Sequence, residues 1–402
     1  MVCSQIGARE HYAVPRAFSK LNLLDTLVTD VWVSKSLRAL LTRIPSGKRL
    51  GTKGHADISD DRVVAFRTRA ILTEAANRLR THSTTEDRYY NFLRVGQRFA
   101  GDTRAFLEAR VKSKAAPAAF FSYSTGALEA VEFLEGIGVP TLVDQIDPAR
   151  AVDEIVRRES ALWPDWMDAP GRIPEVYFQR LEAEWAKATR VVVNSEWSRK
   201  ALLKQAVPPG KIVTLPLAYD LPTFVDAPRP RNDGVTVLWV GQVSLLKGIQ
   251  YLIQAAKQLQ SERIQFLIAG AVGIRTEAVR SAPSKMTFIG SVPRDKVSSL
   301  YRSADLFVFP TLSDGFGITQ LEAMAHGVPV IATSNCGDVV TDGLDGRIIP
   351  AGDSNALAEA IMELASNTKR LRAMSAAAIQ TSKRFSVDIL AQRLRTILDD
   401  LN

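Results

Sequence analysis

The sequence predicts an α/β protein with two domains, each built around a parallel β-sheet. Short runs of apolar residues, such as Val235–Val240 and Leu306–Phe309, are typical of strands that are buried on both faces. A glycine-containing loop and then a helical pattern follow each run, as in open α/β sheets that bind ligands at the carboxyl ends of their strands. The chain has 402 residues, which is enough for two domains of ordinary size.

Residues 305–333 carry the clearest pattern in the chain. Pro310 ends the apolar run, and Gly315 and Gly317 follow in a turn where backbone can approach a ligand closely. Apolar residues then recur at helical spacing, and a second apolar run at 328–331 predicts another strand. Strand, glycine loop, helix and strand together form half of a nucleotide-binding α/β unit.

Two acidic residues, Asp314 and Glu322, bracket this loop with seven residues between them. Backbone N–H groups at the start of the predicted helix could face a phosphate group. The amides concerned are those of Gly315, Phe316, Gly317 and Ile318. A plainer interpretation also stands, in which Asp314 caps the helix and Glu322 is a solvated helical residue.

The sequence DGFG-x3-LEAMA-x-G-x-P-V-I resembles the E-x7-E segment of the GT4 family of retaining glycosyltransferases. The resemblance implies the GT-B fold, in which two Rossmann-like domains face each other across a cleft and a C-terminal helix returns to the first domain. It implies a nucleotide-diphosphate sugar as the donor substrate, with no separate cofactor. It also implies that Asp314, which stands where the family has Glu, holds the donor sugar, while Glu322 accepts hydrogen bonds from the ribose.

A second motif, GQVSLLKG at residues 241–248, follows the strand predicted at Val235–Val240. The family has G-R-x4-K-G here, and its arginine and lysine clamp the diphosphate. Lys247 matches the lysine, whereas Gln242 replaces the arginine and removes its charged, bidentate fork. By resemblance, Lys247 joins Asp314 and Glu322 as a catalytic candidate. The implied donor-binding residues are Gly241, Gln242, Lys247, Gly315, Phe316, Gly317, Ile318 and Glu322.

The first 190 residues resemble the family only in layout. A strand at residues 2–6 precedes a loop with Gly7 and His11, and leucines at 21–27 predict a helix. Gln145 and Asp147 stand where much of the family has a His-Asp pair, so no catalytic histidine is assigned. The predicted parts are an acceptor-side domain (1–222), a linker (223–234), a nucleotide-sugar-binding domain (235–386) and a returning helix (387–402).

Composition and charge limit the partners of the chain. The net charge is +8, from 51 basic and 43 acidic residues, which permits attraction to phosphates or anionic lipid. No nucleic-acid-binding motif and no metal-ligand spacing is recognisable. Two cysteines and the lack of a signal-peptide or membrane-spanning pattern predict a cytoplasmic protein.

Residues 35–53 contain six basic residues and no acidic one, with leucines at near-helical spacing. This pattern could meet an anionic membrane surface from the cytoplasmic side, or it could be a solvated helix over the domain core.

The resemblance implies a hexosyltransferase that acts on a glycan or lipid-linked acceptor of a cell-surface polysaccharide. One alternative is a catalytically idle, nucleotide-sugar-binding scaffold subunit of a polysaccharide assembly. Another is a nucleotide-sugar epimerase of the same fold, although such enzymes generally lack the DGFG-x3-LEAMA sequence.

Overall fold

The computed structural model describes residues 1–41, 48–66, 84–167, 170–220 and 234–401. The linker predicted at 223–234 lies outside these ranges except for its last residue. Two parallel sheets, one in each half of the chain, form the centres of two domains. The expected class, with two Rossmann-like domains, is confirmed.

The first sheet has the strand order β3-β2-β1-β4-β5-β6-β7, and every pairing in it is parallel. Its strands are β1 (Val2–Gln5), β2 (Thr26–Thr29), β3 (Val63–Ala65), β4 (Phe120–Tyr123), β5 (Thr141–Gln145), β6 (Arg190–Val193) and β7 (Ile212–Thr214). The helices of this domain are α1 (Ala13–Lys20), α2 (Lys35–Leu41), α3 (Lys48–Gly51), α4 (Thr85–Lys112), α5 (Leu128–Glu135), α6 (Arg150–Leu162), α7 (Glu175–Lys187) and α8 (Glu196–Lys204).

The second sheet has the order β10-β9-β8-β11-β12-β13 and is also parallel throughout. Its strands are β8 (Val235–Val240), β9 (Ile264–Ala269), β10 (Met286–Gly290), β11 (Leu306–Phe309), β12 (Val330–Thr333) and β13 (Gly346–Ile349). The helices are α9 (Ile249–Gln258), α10 (Thr276–Arg280), α11 (Arg294–Ser303), α12 (Ile318–Ala325), α13 (Ser354–Ala365), α14 (Thr368–Ser382) and α15 (Val387–Asp399).

In each sheet, successive strands are added first on one side of the starting strand and then on the other, so the strand order reverses once. In the second sheet, strands are added on one side of β8 as far as β10, and β11 then begins the other side. The first sheet reverses in the same way between β1 and β4. Loops at the carboxyl ends of such adjacent strands diverge and leave a crevice, which is where open α/β sheets bind ligands.

The helix predicted from the leucines at 21–27 is wrong. Helix α1 ends at Lys20, Asn22 adopts a left-handed φ of 58°, and β2 begins at Thr26. Leu24 and Leu27 are buried, Leu27 in a strand whose residues are all buried. A strand covered on both faces needs no alternation of apolar and polar residues, so its leucines can imitate a helical stripe.

Helix α15 crosses back to the first domain, as expected for this fold. Its buried face packs into the core formed by α1 and the first sheet. Lys20 of α1 pairs with Asp388 at 2.6 Å, and the Tyr219 amide donates to the Phe385 carbonyl at 2.8 Å. The buried residues of α15 are Val387, Leu390, Ala391, Leu394 and Ile397.

We expect Leu394→Ala to lower the free energy of unfolding by about 3 kcal/mol, because Leu394 is fully buried in this core and its truncation leaves a cavity. Equilibrium denaturation would measure the change. Arg395→Ala, at the exposed neighbouring position, is the matched control. Equal stability of the two variants would show that α15 does not hold the domains together.

Candidate functional site

A cavity of about 250 Å³ opens between the two domains at the carboxyl ends of both sheets. We call it the interdomain cavity. The first domain lines it with Glu10, Ile146, Asn194 and Leu217. The second domain lines it with Trp239, Val240, Gly241, Lys247, Phe309, Asp314, Phe316, Gly317, Ile318 and Thr319. Most of the residues that the two motifs single out therefore lie around one space.

Lys247 and Asp314 form an ion pair at this cavity, and each side chain is 23% exposed. Lys247 ends a short 3₁₀ turn, and Gly248 follows with a left-handed φ of 78°. A Cβ atom on Gly248 would lie 2.0 Å from the Pro310 carbonyl oxygen, so the turn packs directly onto the end of β11. The cation is thus held at the start of the glycine loop.

The glycine loop is packed too closely for side chains. A Cβ atom on Gly315 would lie 2.1 Å from the Ile146 carbonyl oxygen of the first domain. Gly317 has a left-handed φ of 75°, and its Cβ would lie 2.4 Å from the Phe309 ring. These glycines let the backbone of the loop reach both the first domain and the cavity at the N-terminal end of α12.

Asp314 does not cap α12. The residue before the helix is Gly317, and no side chain accepts a hydrogen bond from the first helical amides. Instead, the Asp314 Oδ1 accepts from the Phe316 amide at 3.2 Å, and its other oxygen faces Lys247. The carboxylate is therefore fixed at the cavity, and it does not accept a hydrogen bond from the first amides of α12.

Glu322 is not a solvated residue, because its side chain is only 14% exposed. The Tyr301 hydroxyl donates to its Oε2 at 2.9 Å, and the Arg294 guanidinium lies 4.0 Å from its Oε1. Burial raises the pKa of Glu322, and the Tyr301 hydrogen bond and Arg294 oppose that rise. Glu322 lies about one turn into α12 and does not line the cavity itself.

Gly241 lines the cavity, but the side chain of its neighbour Gln242 is exposed and does not. Gly241 has a positive φ of 152°, which favours glycine, and its amide donates to the Ala269 carbonyl at 2.9 Å. Among the described residues that line the interdomain cavity, Lys247 is the only one with a positively charged side chain.

A second cavity of about 460 Å³ lies at the carboxyl ends of β1, β4 and β5, and we call it the first-domain cavity. Ile146 lines both cavities, so they adjoin. Asp147 lines this cavity, and burial raises the pKa of its carboxyl. Gln145 is buried beneath it, donates to Asp147 and accepts from the Trp185 indole at 3.0 Å. Gln145 thus supports Asp147 rather than facing the cavity.

Gly7 and His11, in the loop after β1, line neither of these two cavities. The charged residues of this loop that line one of them are Arg9, in the first-domain cavity, and Glu10, in the interdomain cavity. Arg9 and Glu10 are adjacent charged residues in the loop after β1, where the direction of strand addition changes. This position in the sequence could have indicated a role in ligand binding.

Contacts across the cleft were also absent from the sequence prediction. At the N-terminus of α8, the Trp197 indole donates to the Ser313 hydroxyl at 3.0 Å. The Glu196 amide donates to Asp338 at 2.9 Å. These bonds join the first domain to the glycine loop and to the loop after β12.

Within the described ranges, no group of three or more His, Cys, Asp or Glu side chains could hold a metal ion. Across the same residues, no helix has both the length and the apolar character that crossing a membrane requires.

Comparison with known proteins identifies the second domain. Residues 234–367 match the family model described as glycosyl transferases group 1. A D-inositol 3-phosphate glycosyltransferase of Thermobispora bispora is 27% identical over 237 residues, which are 52% of this chain and 55% of that protein. An uncharacterized glycosyltransferase of Methanocaldococcus jannaschii is 30% identical over 171 residues, which are 41% of this chain and 48% of that protein. The chain thus spans about half the length of these curated relatives.

Solved structures match over the full chain. HepE of Anabaena in complex with UDP superposes with a TM-score of 0.61 at 14% identity, covering 99% of each chain. Sucrose-phosphate synthase of Thermosynechococcus elongatus superposes with a TM-score of 0.61 at 17% identity, covering 100% of this chain and 98% of the other. The second domain thus matches the glycosyl transferases group 1 model, and the two domains together have the GT-B fold.

Proposed function

We propose that the protein is a retaining hexosyltransferase that moves a sugar from a nucleotide-diphosphate donor to an acceptor hydroxyl. The observation that carries this proposal is that Lys247 and the residues at the start of α12 line one interdomain cavity. A cation and a helix N-terminus are the groups that bind a diphosphate and stabilise its charge as it departs. HepE, of the same fold, has been solved with UDP and glucose.

The Lys247–Asp314 ion pair indicates how the donor would enter. A diphosphate would replace Asp314 as the partner of Lys247, and the freed carboxylate would accept hydrogen bonds from the sugar. Glu322 would accept from the ribose hydroxyls. Positioning of the donor and stabilisation of the leaving diphosphate then supply most of the catalysis, with no metal required.

The acceptor would occupy the first-domain cavity. This space adjoins the interdomain cavity at Ile146, and its wall combines aromatic side chains with polar groups. Aromatic residues with a few fixed polar groups are typical of pockets that bind organic ligands. We propose a glycan or lipid-linked acceptor of a cell-surface polysaccharide and a cytoplasmic location.

The alternative function is a catalytically idle, nucleotide-sugar-binding scaffold subunit. The observation that favours it is Gln242. Its side chain is exposed, which leaves Lys247 as the sole cation among the described lining residues. The purified protein, incubated with a panel of nucleotide sugars and candidate acceptors, separates the two functions. A transferase consumes its donor and releases nucleoside diphosphate, whereas a scaffold subunit binds the donor without turnover.

We expect Lys247→Ala to lower kcat/KM by roughly 100-fold, about 3 kcal/mol of transition-state stabilisation, because the lysine faces the charge that develops on the leaving group. Donor turnover measures this. Lys257→Ala, which removes an exposed cation of α9, should leave turnover unchanged. Equal kcat/KM in the Lys247 variant and wild type would remove this lysine from the site.

We expect Glu322→Gln chiefly to raise the donor KM, because a ribose contact is the same in the ground and transition states. Initial rates at varied donor concentration measure the effect. Tyr301→Phe removes the hydrogen bond to Glu322 and keeps its charge, so its effect should be smaller. A fall in kcat at constant KM would instead place Glu322 near the reacting carbon.

Helices α2 and α3 support peripheral contact with an anionic membrane. Leu37, Leu40 and Leu50 are 46%, 55% and 51% exposed, and Lys35 is exposed beside them. Exposed leucines among cations suit insertion at a lipid interface. Arg43, another cation of the basic segment at residues 35–53, lies outside the described residues.

We expect replacement of Lys35, Arg38 and Arg43 by Gln to reduce sedimentation with phosphatidylglycerol vesicles, most strongly at low salt. Each cation near an anionic surface contributes about 1 kcal/mol, and salt screens that attraction. Replacement of three exposed second-domain cations by Gln is the charge-matched control. Those residues are Lys257, Lys369 and Arg372. Failure of the wild type to sediment with these vesicles at low salt would contradict membrane contact.

A further inference from the structure

Glu10 is a carboxyl-bearing residue of the first domain that lines the interdomain cavity. It lines this cavity together with Lys247 and Asp314, which come from the second domain. Its neighbour Arg9 lines the first-domain cavity instead, with its guanidinium 5.3 Å from the centre of the Tyr123 ring. The loop between β1 and α1 therefore lies where the two cavities adjoin, and consecutive side chains serve different cavities.

The backbone holds Glu10 there in an unfavourable conformation. Glu10, His11 and Tyr12 have φ values of 49°, 51° and 61°, three consecutive left-handed residues without a glycine. Such conformations persist only where surrounding packing determines them, and they cluster at functional sites. Here the Tyr12 ring is fully buried and packs edge-on against Trp32, with the ring centres 5.2 Å apart. A glycine at position 10 would adopt this conformation without steric strain.

The charges around Glu10 indicate what its carboxyl group can bind. Burial raises the pKa of Glu10 to about 7, Arg9 opposes that rise, and buried Asp144 at the end of β5 lies near enough to interact with it. In its ionised form the Glu10 carboxyl group would repel a diphosphate, and the lining residues that could bind a diphosphate, Lys247 and those at the start of α12, belong to the second domain. Carboxyl oxygens instead accept hydrogen bonds from hydroxyl groups.

We propose that Glu10 is a specificity residue of the donor site, whose carboxyl group binds hydroxyl groups of the sugar being transferred. The inference rests on the proposed function, because it takes the ligand of the interdomain cavity to be a nucleotide sugar. It assigns recognition of the sugar to both domains: Asp314 from the second domain and Glu10 from the first. Glu10 should then affect binding of the nucleotide sugar and not that of the nucleoside diphosphate alone.

Isothermal titration calorimetry with UDP, UDP-glucose, GDP and GDP-mannose tests this. Glu10→Gly removes the carboxyl group and suits the left-handed backbone, so we expect an unchanged or higher Tm. Its Kd for the nucleoside diphosphate should stay within about twofold of wild type, and its Kd for the matching nucleotide sugar should rise about tenfold or more, the loss expected for hydrogen bonds to a charged group.

Glu10→Gln, which keeps a hydrogen-bonding side chain, should show a smaller rise in the nucleotide-sugar Kd. Glu154→Gln, at an exposed carboxyl group of α6, is the control and should match wild type for all four ligands. If the folded Glu10→Gly variant leaves the ratio of the two Kd values unchanged, whether or not both Kd values rise, the inference is overturned.

The same titrations separate this inference from the proposed function. A wild type that binds a nucleotide sugar but never transfers it would refute the transferase function, and the Kd ratios of the variants would still decide the role of Glu10. A wild type that binds none of the four ligands, at protein and ligand concentrations in the millimolar range, would count against both.

Discussion

The contact of the glycine loop with the first domain is the constraint on which the site depends. The Gly315 backbone packs against the Ile146 carbonyl and the Asn194 amide so closely that a Cβ atom would lie 2.1 Å from the former and 2.9 Å from the latter. Ile146 follows β5, and the glycine loop follows β11. The contact therefore brings the ligand-binding edges of two separate sheets together, and a single interdomain cavity results.

Further contacts fix the relative position of the domains around this point. Glu159 of α6 is 1% exposed, and its carboxylate accepts from Gln250 at 3.1 Å and from the Tyr251 hydroxyl at 2.8 Å, both on α9. A buried carboxylate is costly unless hydrogen-bonded, so these bonds favour one alignment of the two helices. Helix α15 adds an apolar contact at the other side of the first domain. Hydrogen bonds and apolar packing thus select the same arrangement.

The sequence predicted the structure correctly where the residues that form a pattern are close together in the chain. Residues 305–333 revealed their strand, loop and helix because apolar runs, glycines and helical spacing all occur within one stretch. The leucines at 21–27 misled because a doubly buried strand and a helix can both place leucines close together. Glu10 was missed for another reason. Its significance comes from Lys247 and Asp314, more than 200 residues away, and no local period records that proximity.

The charge of the interdomain cavity follows from one replacement that the sequence showed, Gln242 for an arginine, and from two carboxyl groups, of which the sequence indicated only Asp314. Gln242 stands where the family has an arginine, and its side chain lies outside the cavity. Asp314 and Glu10 contribute two carboxyl groups, against one cation among the described lining residues. The helix amides and the positive end of α12 would therefore contribute more to the binding free energy of a diphosphate than side-chain charge would. The carboxyl groups would be left to the hydroxyl-bearing part of the ligand, since only neutral, hydrogen-donating groups can approach them without repulsion. In a cavity of this composition, the charges themselves set the orientation in which a nucleotide sugar could bind.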